Sequence, residues 1–238
     1  MVKIEVCSTS IKSVINAQKN GADRIELCSE LAIGGITPSK GLILEARKYS
    51  KIPIKVLIRP RSGDFNYSKE EIEVIKRDII TLNKIGVDGI VIGITDEIGN
   101  LPVDKLKSFV DLAGSLSLTF HRAFDVLKNP IDDLETLIDL GFDTILTSGQ
   151  KENVYDGIGF LNEIKKIAGN RISIMPGGGI SLDNCLDFKN NGFEWIHLSS
   201  KKVRIINQNL KNNISFLSQP VYDLDPQLLK SIKKRLVS

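Results

Sequence analysis

The chain is poor in the residues that often announce a function: 238 residues include only three cysteines, two histidines, two methionines and one tryptophan. Three cysteines, Cys7, Cys28 and Cys185, are too few and odd in number for a secreted disulfide framework. No CxxC or HExxH spacing is present, which argues against a structural or hydrolytic zinc site. Long apolar runs are also missing. Lys3 and Glu5 interrupt the first apolar stretch, so neither a membrane span nor a cleavable leader is predicted. A net charge of +3, with lysines dispersed along the chain, gives no basic face for nucleic acid. The one locally basic stretch, Lys230 to Arg235, reads as a solvated final helix. These absences predict a soluble, cytoplasmic protein with reduced thiols.

What the chain has is a repeated punctuation. Gly21-Ala22-Asp23, Gly86-Val87-Asp88, Gly141-Phe142-Asp143 and Gly192-Phe193-Glu194 each end an amphipathic run and lead into a short apolar one. A glycine in that place supplies the left-handed conformation that stops a helix, so each instance reads as helix end, turn and strand start. Helices are expected over 10–20, 69–85, 130–140 and 181–191. Lys3–Cys7, Ile54–Arg59, Leu116–His121 and Ile172–Met175 read as further strands. Eight strand candidates separated by helix-length segments predict an α/β fold, a (β/α)₈ TIM barrel in a single domain. The barrel is placed over 1–200. Residues 201–238 are expected to add an irregular segment, rich in Asn, Gln, Ser and Lys, and a helix from Pro226 that completes the domain.

Alternation along the strands sends Ile4, Val6, Ile25, Leu27, Ile172, Ile174, Ile196 and Leu198 toward the helices. It leaves Lys3, Glu5, Cys7, Arg24, Glu26, Cys28, Ser173, Met175, Trp195, His197 and Ser199 for the barrel interior. Buried charges must be paired, so Glu5 and Glu26 need cations such as Lys3, Arg24 or Arg59. A structural ion-pair network and a functional cluster both fit.

The C-terminal strand ends are where barrels carry chemistry. Arg59, Arg61 and Arg122 suit bidentate capture of a carboxylate or phosphate, with Asp64 and Asp125 as anchoring or acid/base carboxylates and His121 as general acid/base. Ser148, Gln150 and Ser199 lie at the same rim. Gly177, Gly178 and Gly179 either present backbone N–H groups to an anion or simply make a tight turn. Cys7 and Cys28 end the first two strands. A thiol pair there would select Cu(I), although buried cysteine is also an ordinary core residue and barrel stagger can place the two in different layers. Cys185, inside a helix, reads as packing.

Seven ordered segments carry a resemblance to a known family. They are Ile4-Glu5-Val6-Cys7; Gly21 to Cys28; Gly34-Gly35-Ile36-Thr37-Pro38-Ser39; Ile58 to Phe65; Thr119 to Asp125; Ile145 to Gln150; and Gly177 to Ile180. In these the chain resembles the CutC family of copper homeostasis proteins. The resemblance implies a cytoplasmic (β/α)₈ barrel that binds copper through Cys7 and Cys28; taken with the strand-end thiols it leads to the expectation of Cu(I) as the ion and of His121 or His197 as a third ligand.

Two functional expectations follow. One is copper binding or buffering. The other is a metal-independent lyase, isomerase or hydrolase acting on a small phosphorylated or carboxylated substrate at the rim. A purely structural role ranks below both. The expected partners are a copper ion or a small anion, with homo-oligomerisation left open.

Overall fold

The computed structural model describes residues 1–204 and 221–237. Eight parallel strands form the barrel wall: β1 (Lys3–Ser8), β2 (Arg24–Leu27), β3 (Ile54–Leu57), β4 (Gly89–Ile92), β5 (Ser117–Phe120), β6 (Thr144–Thr147), β7 (Ser173–Pro176) and β8 (Trp195–Leu198). They hydrogen-bond in sequence from β1 to β7, and β8 pairs with β1. A single parallel bridge between Gly177 and His197 joins the last two and nearly closes the ring. The connecting helices are α1 (Ile11–Lys19), α2 (Lys40–Tyr49), α3 (Lys69–Ile85), α4 (Val103–Ala113), α5 (Pro130–Asp139), α6 (Ile158–Ala168) and α7 (Cys185–Asn190).

The repeated punctuation has a physical role at both of its positions. Gly21, Gly86, Gly141 and Gly192 all have φ between 71° and 101°, the region that a side chain disfavours. The three aspartates then reach sideways to the preceding strand. Asp23 Oδ2 accepts the Ile4 N–H at 2.8 Å, Asp88 Oδ2 that of Ile54 at 2.8 Å, and Asp143 Oδ2 that of Leu118 at 2.6 Å. Each carboxylate satisfies a backbone donor near the bottom of a strand.

Outside the wall, Ile4, Val6, Ile25, Leu27, Ile54, Val56, Ile196 and Leu198 join the buried helix faces in one continuous core. The inner surface is different: Glu5, Arg24, Glu26 and Lys55 are all buried there. Register explains the packing, since Glu5 lies beside Arg24 and His197, Cys7 beside Glu26, and Glu26 beside Lys55.

Three local expectations are corrected. β3 stops at Leu57, so Arg59 lies beyond the strand, where its carbonyl accepts from Thr37 N–H at 3.0 Å. The seventh helix starts at Cys185 rather than 181, because Ser181 N–H is taken up by Asn184 Oδ1 at 2.8 Å in the preceding turn. The start of the irregular segment is a strand, β9 (Lys201–Arg204), antiparallel to β10 (Val221–Leu224); the rest of that segment, 205–220, lies outside the described residues. The final helix, α8 (Pro226–Val237), buries Leu229, Ile232 and Leu236. Lys233 ties it to Asp23 at 2.6 Å.

Candidate functional site

A cavity of about 400 Å³ opens at the C-terminal end of the strands. Its walls are largely apolar, from Leu31, Ile33, Leu57, Phe65, Leu146 and Ile180, and its polar lining comes from Cys7, Glu26, Arg59, His121, Arg122, Asp125, His197 and Ser199 with the backbone of Gly178 and Gly179.

At one pole, Cys7 Sγ and Cys28 Sγ are 3.2 Å apart. Stagger therefore does not separate them. Cys7 lines the cavity while Cys28, fully buried, stands behind it against Leu57 and Val91. All three cysteines are free thiols, and Cys185 is buried in the outer core, as a packing residue would be. The hydrogen bond with Cys28 and burial together push the Cys7 thiol pKa well up, so the metal-free Cys7 is protonated. Cys7 also lies 3.7 Å from Glu26 Oε1, and single ligand atoms of Cys7, Glu26 and His197 lie within 4.8 Å of one another.

Beneath this pole the buried charges are matched. Glu5 accepts from Arg24 Nε at 2.5 Å and shares 2.9 Å with His197 Nδ1, and the Arg24 guanidinium stacks on Trp195 with Cζ 4.0 Å from the ring centre. Burial alone would raise the Glu5 pKa; Arg24 and His197 overcome it and hold it at about 2. Burial likewise opposes charge on His197, but Glu26, Cys7 and Glu5 raise its pKa well above the ordinary value. Glu26 is pushed upward by burial, against the pull of His197. Nδ1 of His197 is committed to Glu5, which leaves Nε2 for a ligand, an arrangement in which a carboxylate orients a metal-binding imidazole. Lys3, expected inside, is exposed and lies over Trp195.

The other expected residues fall into two groups. Arg122, Asp125, Ser148 and Gln150 form one network across the ends of β5 and β6. Asp125 accepts from Arg122 Nε at 2.7 Å, Ser148 N–H at 3.0 Å, Gln150 N–H at 3.1 Å and the Thr147 hydroxyl. Its carboxylate is saturated by these bonds, which hold Arg122 and the β6 turn. Gln150 Nε2 donates to Leu127 O at 2.7 Å, and Arg122 Nη2 to Ser148 Oγ at 2.8 Å. Arg61 and Asp64 lie away from the cavity. They pair with each other at 3.0 Å, Arg61 also binds Glu71 at 2.6 Å, and the Asp64 side chain is 73% exposed. Gly177 packs against Leu146 and His197 rather than lining the space.

His121 differs from the acid/base expected of it. Its Nδ1 accepts the Ala123 N–H at 3.0 Å, and burial with the nearby Arg59 charge lowers its pKa to about 3. A neutral imidazole whose Nδ1 holds a lone pair carries its proton on Nε2, so His121 presents a fixed donor. Sequence reasoning missed Phe65 and the apolar walls, which come from loops with no periodic signal. It also missed Lys55, although strand alternation places it inward with Leu57.

The family model of the CutC family matches residues 2–202. This chain belongs to the CutC family. It is 41% identical over 215 residues to a CutC family protein of Glaesserella parasuis serovar 5, covering 90% of this chain and 87% of that one. It is also 41% identical over 211 residues to the copper homeostasis protein cutC homolog of Homo sapiens, covering 88% and 77%. Among solved structures, the putative copper homeostasis protein CutC of Streptococcus agalactiae superposes with a TM-score of 0.80 at 31% identity, over 84% of this chain and 99% of that one. The (β/α)₈ barrel is therefore the CutC fold.

Proposed function

We propose that this CutC family member binds Cu(I) in the cytoplasm through Cys7 and Cys28, with His197 as a third donor. The observation that carries the reading is the 3.2 Å approach of the two sulfurs at the cavity floor. Soft thiolates select Cu(I) and tolerate low coordination numbers, so a buried thiol pair suits this ion better than a hard cation. The copper homeostasis names of the relatives point the same way. Glu26 is the less suitable donor for a soft ion, and its place is to face His197. Because the Cys7 thiol is protonated before binding, Cu(I) uptake releases a proton from it and tightens as pH rises.

Competition titration of reduced, metal-free protein with Cu(I) against a chelator of known affinity tests the reading. One tight equivalent is expected, lost in the Cys7→Ser, Cys28→Ser double variant and weakened in His197→Phe. Unchanged affinity in the double variant removes the site. A mixed sulfur, nitrogen and oxygen set at Cys7, His197 and Glu26 would instead suit zinc, so Zn(II) binding that survives Cys28→Ser while Cu(I) binding is weak would reassign the metal.

A further inference from the structure

The cavity has a second pole that copper does not use. Arg59 and His121 line it beyond the ends of β3 and β5, and they are only 7% and 5% exposed. Each keeps one polar atom without a hydrogen-bond partner, Arg59 Nε and His121 Nε2. The rest of both side chains is engaged. Arg59 Nη1 donates to Ile33 O at 2.8 Å and Gly35 O at 2.9 Å, and Nη2 to Gly63 O at 2.7 Å. His121 Nδ1 holds the Ala123 N–H, which leaves the proton on Nε2.

Both unpaired atoms are thus N–H donors, locked in place by their own anchors. Buried donors are nearly always paired, so the unpaired His121 Nε2–H, on a residue that lines the cavity beside Arg59, calls for an acceptor that comes from outside. The Tyr67 hydroxyl, also buried without a hydrogen-bond partner, stands near the Arg59 guanidinium, but among the described residues no carboxylate does: Asp125 is saturated, and Arg59 forms no ion pair. The pole therefore carries donors and a positive charge. Phe65 stands over it, its ring centre 4.7 Å from the His121 ring and 5.2 Å from Arg59 Cζ. Leu57 and Leu31 continue the apolar wall toward Cys7. A space of about 400 Å³ is far larger than a metal ion needs and suits a small organic molecule.

We propose that this pole binds the carboxylate of a small organic acid, its oxygens accepting from Arg59 Nε–H and His121 Nε2–H and its short apolar body lying against Leu57 and Phe65. A guanidinium and an imidazole N–H, both beside the Phe65 ring, match the two oxygens of a carboxylate. A phosphate would leave further oxygens without donors, and one of the two partners here is an uncharged imidazole. Phe65 is the side chain that must move to admit the ligand. The site does not depend on copper.

The test uses metal-free protein, calorimetric titration with butyrate, 2-oxobutyrate and inorganic phosphate, and ¹H–¹⁵N spectra of the histidine rings. The carboxylates are expected to bind and shift the His121 Nε2–H resonance, with phosphate at least about tenfold weaker. His121→Phe keeps a ring and removes the donor, so it lowers carboxylate affinity by about tenfold or more. Asp64→Asn, outside the cavity, leaves that affinity unchanged, and Cu(I) binding by His121→Phe stays at the wild-type level. Equal carboxylate affinity in His121→Phe, preference for phosphate, or no ring shift with any of the three overturns the proposal. If His121→Phe does not fold, the wild-type ring spectrum alone decides.

Discussion

Gly93 is the space that His121 occupies. A Cβ at residue 93 would fall within 2.5 Å of His121 Cε1 and 2.8 Å of the Ala123 Cβ, closer than side chains approach. The end of β4 is thus cut away so that the imidazole after β5 can sit against it with its Nδ1 on the Ala123 N–H.

Gly93→Ala is expected to push the imidazole out of that seat. Overpacking of this kind costs about 1–3 kcal/mol. Urea unfolding measures the loss, and the displaced ring should lose its distinctive neutral Nε2–H resonance. An unshifted resonance with wild-type stability would show that the seat is not tight.

Glu5→Gln removes the carboxylate between Arg24 and His197 and leaves both cations buried without it. Breaking a buried pair by one partner costs about 3–5 kcal/mol. Arg24 keeps its stacking on Trp195, so the lower end of that range is expected. A loss under about 1 kcal/mol would mean that water reaches the pair.

Stability should fall on mild acidification through His121. Its folded pKa of about 3 lies below the ordinary 6.5, so between those values the unfolded chain binds a proton that the folded one does not. The contribution is complete above pH 6.5 and shrinks as pH drops toward 3. Melting temperatures of wild type and His121→Phe, compared at about pH 7 and pH 5, should show the smaller drop in the variant.

Lys55 gives the opposite end of the pH range. Burial first, then Arg24, lowers its pKa to about 8 from 10.5, while Nζ donates to Thr119 Oγ1 at 2.7 Å. Between pH 8 and 10.5 the unfolded chain holds the extra proton, so this group adds stability as pH rises through that window. Lys55→Met should abolish that alkaline gain relative to wild type; an identical profile would mean that Lys55 is not buried as a charge.

The sequence by itself determined the barrel. Helix stops, strand starts and the inward or outward sense of a strand residue depend on glycine conformation and on periods of two and 3.6, which are local properties. That is why the glycine and acid repeats, the charged interior and the rim could be read from the residues in order. Tertiary structure alone decided which rim residues meet. The β1–β2 register brings Cys7 to Cys28, whereas the loop after β3 turns Arg61 and Asp64 outward to Glu71 and solvent. The β6 turn saturates Asp125, and one backbone N–H from Ala123 makes His121 a donor instead of a base. Each of these outcomes depends on strand register or on loop conformation. Such contacts join residues distant in sequence or set by irregular backbone, and no local period encodes them.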